Sequence, residues 1–155
     1  MSPAPTSVHA SAVLIGDRAV LIRGPSGSGK SRLVFELILA SQAGQIPEAM
    51  LVADDRAYLE ASDGRLRVRP VPELVGLLEI RGLGIRRLDC ATAAIVGLVV
   101  DLDAPDAARL PDAEALQIEL HGIRLPRIPV ESSFNPLPLI VAHLTTADGI
   151  PPLRR

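Results

Sequence analysis

The stretch Gly24-Pro25-Ser26-Gly27-Ser28-Gly29-Lys30-Ser31 satisfies the phosphate-loop pattern G-x-x-x-x-G-K-[ST] at each fixed position, and the fold is read outward from it. The apolar run Ala19-Val20-Leu21-Ile22 precedes it, and Leu33, Val34, Leu37 and Ile38 follow at the spacing of one helical face. Strand, loop and helix therefore stand in the order that a phosphate loop needs. The glycines let successive backbone N–H groups turn inward, and the new helix adds its unpaired N–H groups and positive dipole end. Such a cradle suits a polyphosphate, with Lys30 reaching the terminal phosphates and the Ser31 hydroxyl on the Mg²⁺ that bridges them.

The 155 residues read as a single α/β domain, with residues 1–7 a loose, proline-bearing lead. Sixteen basic residues face eighteen acidic ones, so bulk charge advertises neither nucleic acid nor a membrane surface. Phe35, Tyr58 and Phe134 are the only aromatics, too few for base-stacking platforms. Cys90 stands alone, which excludes an internal disulfide and a multi-cysteine zinc site. The start lacks the charged and long apolar regions of a signal peptide, and no apolar run has the length of a membrane span; the expectation is a soluble, cytoplasmic protein.

Taken in order, Ala12 to Ile15 and Ala19 to Ile22 flank Gly16-Asp17-Arg18 and predict a hairpin feeding into the loop. On local grounds His9, just upstream, is an ordinary solvated histidine. A helix is expected from about Ser31 to Ala43, ended by Gly44. Met50-Leu51-Val52-Ala53 has the look of a strand buried on both faces, and it ends in Asp54-Asp55, where open α/β sheets place their ligands. One carboxylate there could orient Mg²⁺ or its waters and one could accept the proton of an incoming hydroxyl.

Asp63-Gly64 signals a second hairpin. In Leu77 to Ile85, Glu79 and Arg81 alternate with apolar neighbours and would share a strand face, where they could reach metal or phosphate or pair with each other. Ala93 to Val100 and the alternating Leu116 to Leu120 read as further strands, Arg109 and Arg127 as surface arginines, and His121 and His143 as structural. Asn135 is expected to cap a last helix from Leu137 to about Thr146, with Pro136 in its first turn.

With the loop, Leu51-Val52-Ala53-Asp54-Asp55 and Leu78-Glu79-Ile80-Arg81-Gly82-Leu83-Gly84-Ile85 all placed, the chain resembles the catalytic domain of bacterial HPr kinase/phosphorylase. The last of these segments is the most specific. The resemblance implies a phosphate-loop kinase fold related to phosphoenolpyruvate carboxykinase, a mixed sheet with flanking helices, assembled as a hexamer. It implies ATP- and Mg²⁺-dependent phosphorylation of a serine on HPr, the phosphocarrier of the sugar phosphotransferase system, and phosphorolysis of that phosphoserine. It places the active-site histidine on His9, the proton-handling aspartate in the Asp54-Asp55 pair and preferably on Asp55, and metal contacts on Ser31, Glu79 and Asp54. It also places a later active-site arginine on Arg109.

Two departures stand out. The usual glycine after the histidine is Ala10, and the usual Pro-Val-Arg-Pro-Gly-Arg-Asn loop reads Pro129-Val130-Glu131-Ser132-Ser133-Phe134-Asn135. Loss of both guanidinium groups and gain of a carboxylate oppose an incoming phosphate anion, which sets the reverse activity apart from the kinase activity. The chain also resembles a short form without the amino-terminal domain of the common one. The alternatives are a phosphate-loop kinase for another substrate, and an ATP-binding regulatory module that transfers no phosphate.

Overall fold

A computed structural model of the chain describes residues 6–149. The predicted hairpin is β1 (Ala10–Ile15) and β2 (Arg18–Arg23), paired antiparallel from Ala10 opposite Arg23 to Ile15 opposite Arg18. The phosphate loop leads from β2 into α1 (Lys30–Gln42), and β3 (Ala49–Ala53) returns antiparallel beside β1. The hairpin β4 (Ala57–Ser62) and β5 (Arg65–Pro70) turns at Asp63 and Gly64, both at positive φ, the geometry that Asp-Gly favours. The short pair β6 (Leu77–Ile80) and β7 (Gly84–Arg87) forms a sheet of its own. The chain closes with β8 (Ala94–Asp101), β9 (Gln117–Leu120), β10 (Ile123–Pro129) and α2 (Leu137–Thr145).

The main sheet runs β3-β1-β2-β8-β10-β9, with β5 also bonded to β8 and β4 to β5. It is mixed: β2, β8 and β10 are mutually parallel, and the other pairings are antiparallel. Since β3 runs against β1 and β1 against β2, β3 points the same way as β2. The carboxyl ends of β2, β3, β8 and β10 therefore meet at one edge, and so does the chain entering β1. That geometry gathers His9, the phosphate loop and Asp54-Asp55 from separate parts of the sequence.

Strand alternation divides the core. Val13, Ile15, Val20 and Ile22 point to one face and pack with Leu33, Val34, Leu37 and Ile38 of α1 and Ile140 of α2. Ala10, Ala12, Ala19 and Leu21 point to the other and pack with Leu66, Val68, Val96 and Val99. Both helices thus cover one face, while the β4–β5 hairpin helps to close the other. No helix among the described residues is long and apolar enough to cross a membrane.

β3 lies at the edge of the sheet and is buried on both faces as expected, Leu51 packing into the core under α1 and Val52 and Ala53 into the second core. The strand beginning at Leu77 stops at Ile80, because Gly82 and Gly84 both take positive φ and the Ile80 carbonyl accepts the Leu83 N–H at 2.9 Å. Arg81 consequently sits in the turn and shares no strand face with Glu79. As expected, Asn135 caps the last helix, its Oδ1 accepting the Leu137 N–H at 3.1 Å with Pro136 between them.

Candidate functional site

The phosphate loop is curled around its lysine. Lys30 is 6% exposed, and its Nζ donates to the carbonyls of Gly24 at 2.8 Å and Pro25 at 3.2 Å. Gly29, in the left-handed region, is the cap residue before α1 and supplies no side-chain cap, so the first N–H groups of the helix are left for a ligand. A methyl group on Gly24 would lie 2.6 Å from Ser28 Oγ and 3.0 Å from Leu102 Cβ, which explains why glycine opens the loop. Ser28 Oγ is buried without a hydrogen-bond partner. A buried hydroxyl left without a partner in the phosphate loop is what a phosphate oxygen would satisfy.

The two adjacent aspartates have different environments. Asp54 is 7% exposed and accepts from Ser31 Oγ at 2.7 and 2.9 Å, from Ser11 Oγ at 2.8 Å, and from the Glu79 N–H at 3.3 Å. Ser31 Oγ and Asp54 form a hard-oxygen pair at the helix start, and among the described residues no group of three or more His, Cys, Asp or Glu side chains converges as a metal cage. That donor set fits Mg²⁺ carried on a nucleotide, which keeps waters and phosphate oxygens and takes one or two protein ligands. Glu79 meets Asp54 through its backbone, while its exposed carboxylate makes no ion pair or hydrogen bond among the described residues.

Asp55 faces solvent, its side chain 62% exposed, with Oδ1 2.7 Å from His9 Nε2. Its φ is +69°, and the Arg56 N–H donates to the Asp54 carbonyl at 2.8 Å across it, a three-residue turn of the strained positive-φ kind. Ser11 holds this turn from below by accepting the Asp55 N–H at 3.1 Å while donating to Asp54. A pocket of about 350 Å³ opens beside the pair, lined by Ser7, Val8, His9, Asp55 and Arg56. The structure thus brings His9 to Asp55 and Ser31 to Asp54, next to Lys30. Arg109 is not joined to them: it lies exposed in the segment after β8, without an ion pair or side-chain hydrogen bond among the described residues.

Sequence reasoning missed two features here. Ser11 is one, and its only signal is a hydroxyl inside an otherwise apolar strand that proves 0% exposed. The other is an ion cluster on the same edge, and it corrects the reading of Arg127 as solvent-facing. Arg127 is 12% exposed in its side chain and donates to Asp101 at 2.6 Å, to Asp106 at 2.8 and 3.1 Å, and to the Ala115 carbonyl at 2.9 Å. Arg23, the residue before the phosphate loop, grips the other side of Asp101 with two bonds of 2.7 Å.

Burial alone would push the Asp101 carboxyl up, but the hydrogen bonds and charges of Arg23 and Arg127 together outweigh it and hold the group below its ordinary range. Asp106 lies low chiefly through its bonds to Arg127. The Arg127 guanidinium is raised, first by its bonds to Asp106, against an opposing effect of burial, and further by Asp101. A carboxylate depressed in the folded state stabilises the fold fully above its unfolded pKa of about 3.9, and that contribution is lost as pH falls through the lower folded value. Asp101→Asn is therefore expected to lower stability at neutral pH by about 2–4 kcal/mol, less than a fully buried pair because Arg23 is partly exposed. Urea melts from pH 7 to pH 3 check this: the gap between wild type and variant should be constant above about pH 5 and narrow below pH 4.

Comparison with known proteins agrees with the fold and with the loop. The family model described as HPr serine kinase C-terminal domain matches residues 2–141. An HPr kinase/phosphorylase of Streptococcus thermophilus is 38% identical over 143 residues, covering 84% of this chain and 44% of that protein. One from Geobacillus thermodenitrificans is 36% identical over the same length and with the same coverage. The chain thus spans less than half the length of these curated relatives. Among solved structures, the HPr(Ser) kinase/phosphatase of Coxiella burnetii superposes with a TM-score of 0.69 at 26% identity, covering 90% of this chain and 93% of that one. With a match that runs from the lead into the last helix, the chain belongs to the HPr serine kinase C-terminal domain family.

Proposed function

We propose that the chain is an ATP-dependent protein-serine kinase acting on an HPr-like phosphocarrier protein. The observation that carries the reading is the exposed, strained Asp55 carboxylate, paired with His9 beside an open pocket at the edge that also holds the phosphate loop. A nucleotide-binding module has no use for a carboxylate held toward solvent in a costly backbone conformation, whereas a kinase needs one where the acceptor hydroxyl arrives.

In this reading the loop N–H groups, Ser28 and Lys30 hold the phosphates of ATP, and Ser31 with Asp54 holds Mg²⁺, with Glu79 a further ligand on the acceptor side. The metal, when bound, neutralises charge on the phosphates. Asp55 takes the proton of the acceptor serine as its oxygen forms a bond to the γ-phosphorus and the bond from that phosphorus to the β,γ-bridging oxygen breaks, leaving phosphoserine and ADP. His9 orients Asp55 through the 2.7 Å contact. Arg109, exposed in the segment after β8, would contact the transferring group. Catalysis rests mainly on positioning and charge neutralisation.

Incubation of the chain with Mg²⁺, ATP and purified phosphocarrier protein, followed by mass-spectrometric mapping, tests the assignment. One phosphate on one serine is expected. Phosphate on a small metabolite and none on the protein would favour a different phosphate-loop kinase; ATP binding with no transfer to any acceptor would favour a regulatory module.

The reverse reaction is where this chain should differ from its relatives. Glu131 to Asn135 leave β10 beside the row Arg23, Asp101 and Pro129, at the edge where the phosphate loop begins, and Glu131 and Phe134 are exposed there. A carboxylate at that position repels inorganic phosphate. Glu131→Arg combined with Phe134→Arg is expected to raise phosphate-dependent loss of phosphoserine about tenfold, with the forward rate little changed. Release of pyrophosphate from phosphorylated carrier measures it.

A further inference from the structure

The outward face of the β4–β5 hairpin carries Arg65, Arg67 and Arg69, while the intervening Leu66 and Val68 are 0% exposed in the second core. Strand alternation therefore puts all three guanidinium groups on one face. Opposite them stand Ser62, Glu60 and Tyr58. Arg69 lies over the Tyr58 ring at 4.6 Å, and none of the three arginines makes an ion pair or side-chain hydrogen bond among the described residues. Even Glu60, directly across from Arg67, is not bonded to it. In a chain whose formal net charge is −2, three arginines without an ion pair within five consecutive residues are a local reversal of sign.

The hairpin is tied to the candidate site. Ala57, its first residue, exchanges backbone hydrogen bonds of 2.8 and 3.0 Å with Val8, so the strand starts between the neighbours of His9 and Asp55. From Asp55 to Ser62, opposite Arg65, the chain runs about 20 Å at the strand rise. The three arginines span about 13 Å of that run, so the strip lies beside the candidate site at one end and extends away from it along the hairpin.

We propose that this strip docks the phospho-acceptor protein through an acidic face beside its target serine; this rests on the kinase reading above. The strip steers the partner and fixes its approach, and the chemistry stays with Lys30 and Asp55. Exposed charges at the rim of an interface act mainly on encounter and are screened by salt. Nucleic acid is the competing occupant of a basic strip, and the chain lacks the aromatic platforms and net positive charge that usually accompany it.

The test uses Arg65→Gln combined with Arg67→Gln, both at exposed positions, and Arg65→Glu combined with Arg67→Glu. Binding of fluorescent phosphocarrier protein to the ATP-loaded chain is followed by anisotropy at several salt concentrations, beside steady-state transfer. We expect the glutamine pair to weaken acceptor binding and raise the acceptor KM about tenfold, and to flatten the salt dependence, with kcat and the KM for ATP unchanged. The glutamate pair should weaken binding further, and an acidic-to-lysine change on the acceptor should restore part of it. Equal acceptor affinity for wild type and both variants overturns the proposal, as does a tight complex of the wild type with single-stranded RNA that is lost in the glutamine pair. Absence of transfer by the wild type counts against the kinase reading alone, because the anisotropy arm still reports on the strip.

Discussion

Lys30→Ala is expected to reduce phosphoryl transfer by about 10³-fold or more, the largest effect of any single substitution in this chain. Its ammonium is nearly buried and is the loop's own positive charge, held on the Gly24 and Pro25 carbonyls at 2.8 and 3.2 Å. Removing it takes away the charge that faces the terminal phosphates and also leaves two loop carbonyls without their donor. Nucleotide affinity and turnover should therefore fall together. Lys30→Arg should not rescue, because a planar five-donor fork does not fit a ring closed around a compact ammonium. Titration with a fluorescent ATP analogue and a transfer assay separate the two effects, and thermal melts establish that the fold persists.

The second large effect is expected at Asp55, with a different signature. Asp55→Asn keeps a residue that tolerates positive φ and keeps the side-chain shape, but it removes the proton acceptor. We expect kcat to fall by about 10²–10⁴-fold while ATP affinity stays within about twofold. Asp55→Ala is the poorer variant, since it also places a β-carbon with no local hydrogen-bonding ability in the strained turn. His9→Gln should cost less than Asp55→Asn, because the histidine touches the carboxylate and the reaction depends on it only through that contact.

Much of this arrangement is legible in the chain itself, and the reason is locality. The phosphate loop, the flanking strand and helix and the Asp-Gly hairpin are each specified by residues a few positions apart, so spacing alone reveals them. The pairing of the Asp54-Asp55 segment with the loop follows from the rule that ligands sit at the carboxyl ends of strands. What was hidden is non-local. Arg127 looks like a surface residue until β10 lies beside β8 and brings Asp101 to it. Ser11 looks like a gap in an apolar strand until Asp54 and Asp55 arrive from a segment more than forty residues away. The different settings of Asp54 and Asp55, one buried and one facing solvent, depend on a backbone turn whose positive φ no local pattern announces. The β6–β7 turn was open to a closer reading, since two glycines one residue apart favour reversal over a continuing strand.

Transfer of the acceptor proton to Asp55, with ATP in the phosphate loop, is the step on which the proposed kinase activity turns. A single-turnover assay tests it most directly, with ATP labelled in its γ-phosphate, Mg²⁺ and phosphocarrier protein, comparing wild type with Asp55→Asn at saturating nucleotide. The predicted result is label on one carrier serine with the wild type, and less than about one per cent of that rate with a variant that binds ATP equally well. Equal rates for the two proteins would contradict it.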